Sequence, residues 1–238
     1  PYFIQEQNSF AGITNKALAS KAEHIFVAYP GMERFFPAQK ITLSGNPVRK
    51  DLLESAGKRE QAAAHFHLDP TVKTILIIGG SQGARTINQG ILAGLDHLRV
   101  AGVQVIWQTG IAFESTAKKA AEGISSAYVS SFIYEMDLAY AMEDLVISRA
   151  GASSVSEICL LGKASILVPL PSAAEDHQTH NAMALVENGA AKMVSDNEVN
   201  QKLIPLLQSL MQDEQARQLM EEKIKAHGFT NADEVIAQ

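Results

Sequence analysis

Residues 74–88, TILIIGGSQGARTIN, constrain the fold more than any other stretch of this 238-residue chain. Thr74–Ile78 is an apolar, β-branched run of strand length, which suits a strand buried on both faces. Gly79, Gly80 and Gly83 follow and make a turn with almost no side-chain bulk. From Ala84 the pattern becomes helical, with Ile87, Ile91, Leu92 and Leu95 at three- and four-residue spacing. A strand, a glycine turn and a helix aim unpaired backbone N–H groups at one point, and that point favours an anion, most often a phosphate. The turn is not a Walker loop, because no Lys-Ser/Thr follows its last glycine, and it does not match G-x-G-x-x-G. Two readings follow: a phosphate cradle, or a tight βα turn whose glycines serve packing alone.

The pattern then repeats. Strands are expected at Thr74–Ile78, Gln104–Gln108, Ala127–Ser131, Asp144–Ser148 and Ser165–Val168. Helices are expected between and after them at Ala84–Val100, Ala112–Glu122, Tyr134–Met142, Ser154–Leu161 and Gln178–Asn188. Such alternation implies an α/β fold with a doubly wound, Rossmann-like parallel sheet and right-handed crossovers. Ligands on these sheets sit beyond the carboxyl ends of the strands. The loops to watch are therefore Gly79–Gly83, Phe132–Ile133, Arg149–Ser153 and Pro169–His177, which converge on one rim.

Ahead of this unit, Pro1–Ile4 reads as a strand end, Ala11–Lys21 as a helix, and His24–Ala28 and Ile41–Ser44 as short strands. Gly45-Asn46-Pro47-Val48-Arg49 suits a rigid crossover between two bodies, since proline restricts Asn46 and removes a donor. The expected division is residues 1–46 as the remnant of an earlier domain, 47–227 as the main domain and 228–238 as a terminal helix. So short a first segment cannot fill an independent core, and with the start at Pro1 it suggests a piece of a longer protein. Asp51–Phe66 is expected as one helix, Asn200–His227 as one or two, and Asn231–Ala237 as the last.

Net charge is −6, which argues against a general nucleic-acid surface. The single Cys159 excludes an internal disulfide and suits a reducing compartment. No apolar run approaches the ~20 residues needed to span a bilayer.

Two more stretches can carry chemistry. In Arg149–Glu157, RAGASSVSE, small residues leave room beside a helix N-terminus, and Glu157 in the first turn can accept hydrogen bonds from the cis-diol of a ribose. The competing reading is a capping box, Ser154-x-x-Glu157. In Pro169–Asn181, a proline-containing loop leads to a polar helix start. His177 and Gln178 suit hydrogen bonds to a sugar; a metal at His177 and His180 lacks a third ligand. The alternative is a solvated first turn. Cys159 and Trp107 read as core residues. No hydrolase triad and no glycosidase-like carboxylate pair stands out.

In order along the chain, QEQN (Gln5–Asn8), GNPVR (Gly45–Arg49), GGSQGAR (Gly79–Arg85), SFI (Ser131–Ile133), RAGASSVSE (Arg149–Glu157) and DHQTHNA (Asp176–Ala182) resemble the MurG family. These are the UDP-N-acetylglucosamine:undecaprenyl-pyrophosphoryl-muramyl-pentapeptide N-acetylglucosaminyltransferases of peptidoglycan synthesis. The resemblance implies a two-domain GT-B fold of which this chain is the donor-binding part. The amino-terminal domain would take the lipid-linked acceptor on the cytoplasmic face of the membrane. It implies Ser81 and Gln82 at the diphosphate, Arg49 near the nucleotide and the Ile133 backbone on uracil. Glu157 would hold the ribose hydroxyls, with Ser153 and Ser154 near the phosphates, and His177 and Gln178 would contact the sugar. It implies no cofactor, no metal and no nucleic acid. The reaction would invert the anomeric carbon as UDP leaves.

Three departures matter. The family usually has glutamine where this chain has His177, and often histidine where it has Gln5. The glycine-rich GGTGGH-type loop, with the histidine proposed as base, does not occur. The catalytic base is therefore not assigned to any residue here, and transfer by this chain alone is not expected. Rival readings are a related GT-B enzyme, such as a UDP-N-acetylglucosamine epimerase or a glycolipid synthase, and a non-catalytic nucleotide-binding module.

Overall fold

The computed structural model describes residues 1–238. It contains two parallel sheets. The first runs β1 (Phe3–Glu6), β2 (His24–Val27), β3 (Ile41–Leu43), with helix α1 (Ile13–Leu18) in the first crossover. Its own core is a cluster of eight buried residues that includes Ile4, Ile25, Met32 and Phe36.

The second sheet has six strands: β4 (Thr74–Ile78), β5 (Gln104–Gln108), β6 (Ala127–Ser130), β7 (Leu145–Ser148), β8 (Ser165–Leu167) and β9 (Lys192–Met193). Their order in space is β6-β5-β4-β7-β8-β9, all neighbours parallel. The chain winds outward from β4 to β6, then returns and winds the other way from β7. The strand order thus reverses between β4 and β7, which is where such sheets open a ligand crevice. Register aligns the strand ends there: Ile78 faces Gln108 on one side and Ser148 on the other.

Alternation along the strands separates two cores. Leu76, Ile78, Ile106 and Val146 point to one face, into a cluster with Phe66, Tyr140, Val155 and Ile158. Ile75, Ile77, Val105, Trp107 and Ile147 point to the other, into a cluster with Ile87, Ile91, Leu203 and Leu207. Both faces are buried, as the unbroken apolar runs require. Trp107 is fully buried, and its Nε1 donates to Asn88 Oδ1 at 3.0 Å. Cys159 is core as expected, and burial pushes its thiol up to about 12.

The helices are α2 (Arg59–Phe66), α3 (Arg85–Val100), α4 (Ile111–Ala120), α5 (Met136–Met142), α6 (Ala152–Leu161), α7 (His177–Val186), α8 (Val199–Gln212), α9 (Glu214–Lys225) and α10 (Ala232–Ala237). Asp51–Phe66 is not one helix. A 3-10 segment, Lys50–Ser55, is separated from α2 by Gly57, whose left-handed φ of +78° breaks the helical run. The two-residue strand β9 is too short to leave a periodic trace and has no counterpart among the expected strands. No helix is long and apolar enough to cross a membrane.

Candidate functional site

In the glycine turn after β4, packing accounts for two of the three glycines. A Cβ at Gly79 would lie 2.3 Å from the Ala84 nitrogen, and one at Gly83 would lie 2.0 Å from the Thr109 carbonyl oxygen. These two glycines are therefore demanded by close packing. Gly80 meets nothing, and beside it Ser81 and Gln82 are exposed on the rim. Helix α3 starts from Ala84 without a side-chain cap, and so does α6 from Gly151. Because β4 and β7 are neighbours, two helix N-termini with uncapped N–H groups meet at the switch point, and their dipoles favour an anion there.

A network braces the two. The Arg149 guanidinium donates to Thr86 Oγ1 at 2.8 Å, to the carbonyls of Val168 and Pro169 at 3.1 and 3.2 Å, and to Asp196. The Thr86 hydroxyl also donates to Asp196. Arg149 thereby ties the start of α3 to the ends of β7 and β8.

Ile133 is buried, and its N–H donates to Gln108 Oε1 at 3.1 Å. The Gln108 NH2 donates to the Gly80 carbonyl at 3.0 Å. This single carboxamide, 4% exposed, joins the glycine turn to the SFI loop. Phe132 and Tyr134, exposed on either side of Ile133, pack edge to face at 4.9 Å.

The capping-box reading of Ser154 and Glu157 is overturned. Helix α6 begins at Ala152, three residues earlier than the motif needs, and its first turn has no side-chain cap. Ser153 and Ser154 lie in that first turn, while Glu157 lies in the second, not the first as expected. Its Oε2 accepts a hydrogen bond from the Tyr140 hydroxyl at 3.1 Å. Burial raises the Glu157 carboxyl above its ordinary value; the Tyr140 bond and the nearby Arg49 charge pull it back down, and Asp51 pushes it up. Arg49 itself is exposed and stands 4.0 Å from Asp51.

At the start of α7, Gln178 Oε1 accepts the Leu170 N–H at 2.9 Å, leaving its NH2 unpaired. His177 Nε2 is 3.9 Å from Glu175 Oε2. Glu175 and Asp176 both hold left-handed φ values, 50° and 54°, which cost strain in non-glycine residues. Glu175 is held by a contact from the first sheet's side, since its Oε1 accepts the Ile13 N–H at 2.9 Å. His180 stacks on Phe10 at 4.6 Å, so it serves the junction between the two sheets. No group of three or more His, Cys, Asp or Glu side chains is assembled that could hold a metal.

Asn181 joins three motifs. Fully buried, it accepts the Ser9 N–H at 2.9 Å and donates to Asn8 Oδ1 at 3.0 Å and to the Ala150 carbonyl at 3.2 Å. Asn46 adds a second tie, donating to the Gln7 carbonyl at 2.9 Å and to Ser156 Oγ at 3.0 Å. QEQN, GNPVR, RAGASSVSE and DHQTHNA thus converge on one seam. Sequence reasoning did not single out Gln108, Tyr140 or Asn181 as site residues. Each bonds to groups distant in the chain, and no local pattern marks such a partner.

Comparison with known proteins places this geometry. Residues 74–236 match the glycosyltransferase family 28 C-terminal domain. The UDP-N-acetylglucosamine–N-acetylmuramyl-(pentapeptide) pyrophosphoryl-undecaprenol N-acetylglucosamine transferase of Parabacteroides distasonis is 54% identical over 217 residues, covering 90% of this chain and 59% of that protein. The enzyme of the same name from Bacteroides fragilis is 55% identical over 226 residues, covering 93% and 60%. The chain therefore spans about three fifths of these relatives. The crystal structure of Acinetobacter baumannii MurG superposes with a TM-score of 0.80 at 30% identity, covering 99% of this chain and 66% of that one. The UDP-GlcNAc 2-epimerase of Neisseria meningitidis, at 17% identity and a TM-score of 0.64 over 92% of this chain and 60% of that one, shares the fold. These findings agree with the resemblance to MurG and with the doubly wound fold: the chain belongs to glycosyltransferase family 28, and its residues 74–236 are that family's C-terminal domain.

Proposed function

We propose that this chain is the donor half of a MurG-type enzyme. It would bind UDP-N-acetylglucosamine for inverting transfer of the sugar to undecaprenyl-pyrophosphoryl-muramyl-pentapeptide. The observation that carries this reading is the pair of uncapped helix N-termini at the β4–β7 switch point, beside Ser81 and Gln82 on the glycine turn and Ser153 and Ser154 in the first turn of α6.

Each part of the donor has a matching group. The diphosphate lies against the two helix starts, where backbone N–H groups and the Ser81, Gln82, Ser153 and Ser154 side chains face a negative charge. As the glycosidic bond breaks, charge grows on the leaving diphosphate, and fixed dipoles stabilise it without reorganising. The Ile133 carbonyl, which accepts no hydrogen bond within the chain, takes the N3–H of uracil. The Ile133 N–H is already held by Gln108, so base recognition rests on the carbonyl. Glu157 accepts from the ribose, and the Tyr140 bond and the Arg49 charge favour its ionised form against the opposing effect of burial. His177 and the free NH2 of Gln178 meet the sugar. The acceptor, the base that deprotonates its hydroxyl and the peripheral contact with the cytoplasmic membrane face belong to residues upstream. The seam at Asn181 and Asn46 is where the two bodies, divided near residue 46, are held together, and residues 228–238 cross back towards the first.

The test is calorimetry of this chain with UDP, UDP-N-acetylglucosamine, CDP and ADP, each with and without EDTA. Binding of both uridine ligands, unchanged by EDTA and weaker for CDP and ADP, is expected. Equal affinity for all four nucleotides, or strict dependence on a divalent cation, overturns the assignment.

A further inference from the structure

Glu157 is not free to choose how it meets a ligand. Its Oε2 is occupied from behind by the hydroxyl of Tyr140, a fully buried residue of α5. Its Oε1 accepts no hydrogen bond within the chain, and the residue is half-buried. Tyr140 is itself packed in the core cluster with Leu138, Val155 and Ile158. A phenol has only two side-chain torsions, and here both are set by packing. A glutamate has three, and an unheld carboxylate on a helix surface samples several rotamers that binding must then freeze.

We infer that Tyr140 is the positioning residue of the ribose site: its buried hydroxyl fixes Glu157 Oε2 and so holds Oε1 toward the ribose hydroxyls. This rests on the ribose role proposed for Glu157 and adds a residue that touches no ligand. Oε2 already accepts the Tyr140 hydroxyl and keeps one further lone pair, so Oε1, which accepts no bond within the chain, is the oxygen with full capacity for the diol. Tyr140 remains a donor at any working pH, because burial and the Glu157 and Glu143 charges raise its own titration far above the ordinary phenol value. The charged groups facing the Glu157 carboxyl are Arg49 from the crossover and Asp51 from the 3-10 segment; from α5 it meets the Tyr140 hydroxyl.

The experiment compares UDP with 2′,3′-dideoxyuridine diphosphate, which differs only in the ribose hydroxyls, by calorimetry on the 238-residue chain. The readout is the ratio of the two dissociation constants. Tyr140→Phe should lower that ratio roughly 3- to 10-fold, the worth of one ordinary hydrogen bond, while affinity for the dideoxy ligand stays unchanged. The acid limb of UDP binding should also move to higher pH in this variant, because the bond it loses favours the ionised carboxylate. Equal loss for both ligands would show a merely structural role, and an unchanged ratio would show no role; either overturns the inference. If Tyr140→Phe does not fold, the unmodified protein decides. The Tyr140 ring carbon signal should shift on adding UDP and not on adding the dideoxy ligand, and no difference between the two overturns the inference. Glu157→Ala is the control. If that variant keeps the wild-type ratio, Glu157 does not hold the ribose and the underlying reading fails; if it loses the ratio while Tyr140→Phe keeps it, only the positioning role fails.

Discussion

The side-chain carbonyl of Gln108 accepts the backbone N–H of Ile133 at 3.1 Å, while the same carboxamide donates to the Gly80 carbonyl at 3.0 Å. One residue at the end of β5 therefore sets the distance between the loop assigned to uracil and the loop assigned to the diphosphate. A nucleotide reaches both loops at once, so its affinity depends on that spacing as well as on the individual contacts.

Gln108→Leu keeps the bulk and removes both bonds. The Gly80 carbonyl and the Ile133 N–H lose their partner, which should cost about 1–3 kcal/mol of stability in urea denaturation. UDP affinity should fall roughly tenfold by calorimetry, on the scale of one to two lost hydrogen bonds. Stability lost with UDP affinity intact would show that Gln108 only braces the fold.

Gly83→Ala tests the glycine turn. Gly83 has φ +74°, and a Cβ there would sit 2.0 Å from the Thr109 carbonyl oxygen. Strain and clash together should cost roughly 2–4 kcal/mol and displace the start of α3. Thermal unfolding reads the first effect and UDP titration the second. A variant as stable as the parent would mean the turn is looser than its geometry implies.

The Glu157 carboxyl titrates above its ordinary value because burial disfavours the charge. UDP affinity should therefore rise with pH through that elevated value, as the carboxylate that accepts the ribose hydroxyl forms. Stability runs the other way. The folded state holds the proton more tightly than the unfolded chain, so this group's contribution is present at low pH and is lost as pH rises between the ordinary carboxylate value and the elevated one. Glu157→Gln should flatten the pH dependence of UDP binding. An equally steep dependence in that variant would assign the titration to another group.

Asn181→Ala removes the fully buried carboxamide that joins Ser9, Asn8 and Ala150. The Ser9 N–H and the Ala150 carbonyl are left without it, a loss of about 1–3 kcal/mol. Hydrogen exchange should quicken across residues 1–44 while β4 and β7 stay protected. Uniform acceleration over the whole chain would mean the two sheets unfold as one cooperative unit.

The chain should bind the donor but not transfer the sugar. Gln5 cannot titrate, and Glu157 is engaged with Tyr140 and, as proposed, the ribose. The first sheet, proposed as part of the acceptor-binding body, has three short strands. Binding without a positioned acceptor supplies affinity but no proximity gain. The assay is transfer of labelled N-acetylglucosamine to a soluble lipid I analogue. Turnover near that of an intact two-domain enzyme would place the catalytic groups within these 238 residues.

The amino-acid sequence by itself determined the fold class. Five apolar runs alternate with helical stripes, and a parallel sheet covered on both faces is the one arrangement that buries them all. It also determined the glycine turn and the four loops of the rim, because strand ends and helix starts are written in neighbouring residues. Tertiary structure alone decided the rest. Whether Glu157 caps its helix depends on where α6 starts, and that start is Ala152 rather than the local capping signal. Which group holds Glu157, which carboxamide spaces the loops and which asparagine closes the seam depend on pairs far apart in the chain: 140 with 157, 108 with 133 and 80, 181 with 8 and 9. Local propensity is a property of neighbours, whereas these hydrogen bonds exist only once the sheet has put its strand ends side by side.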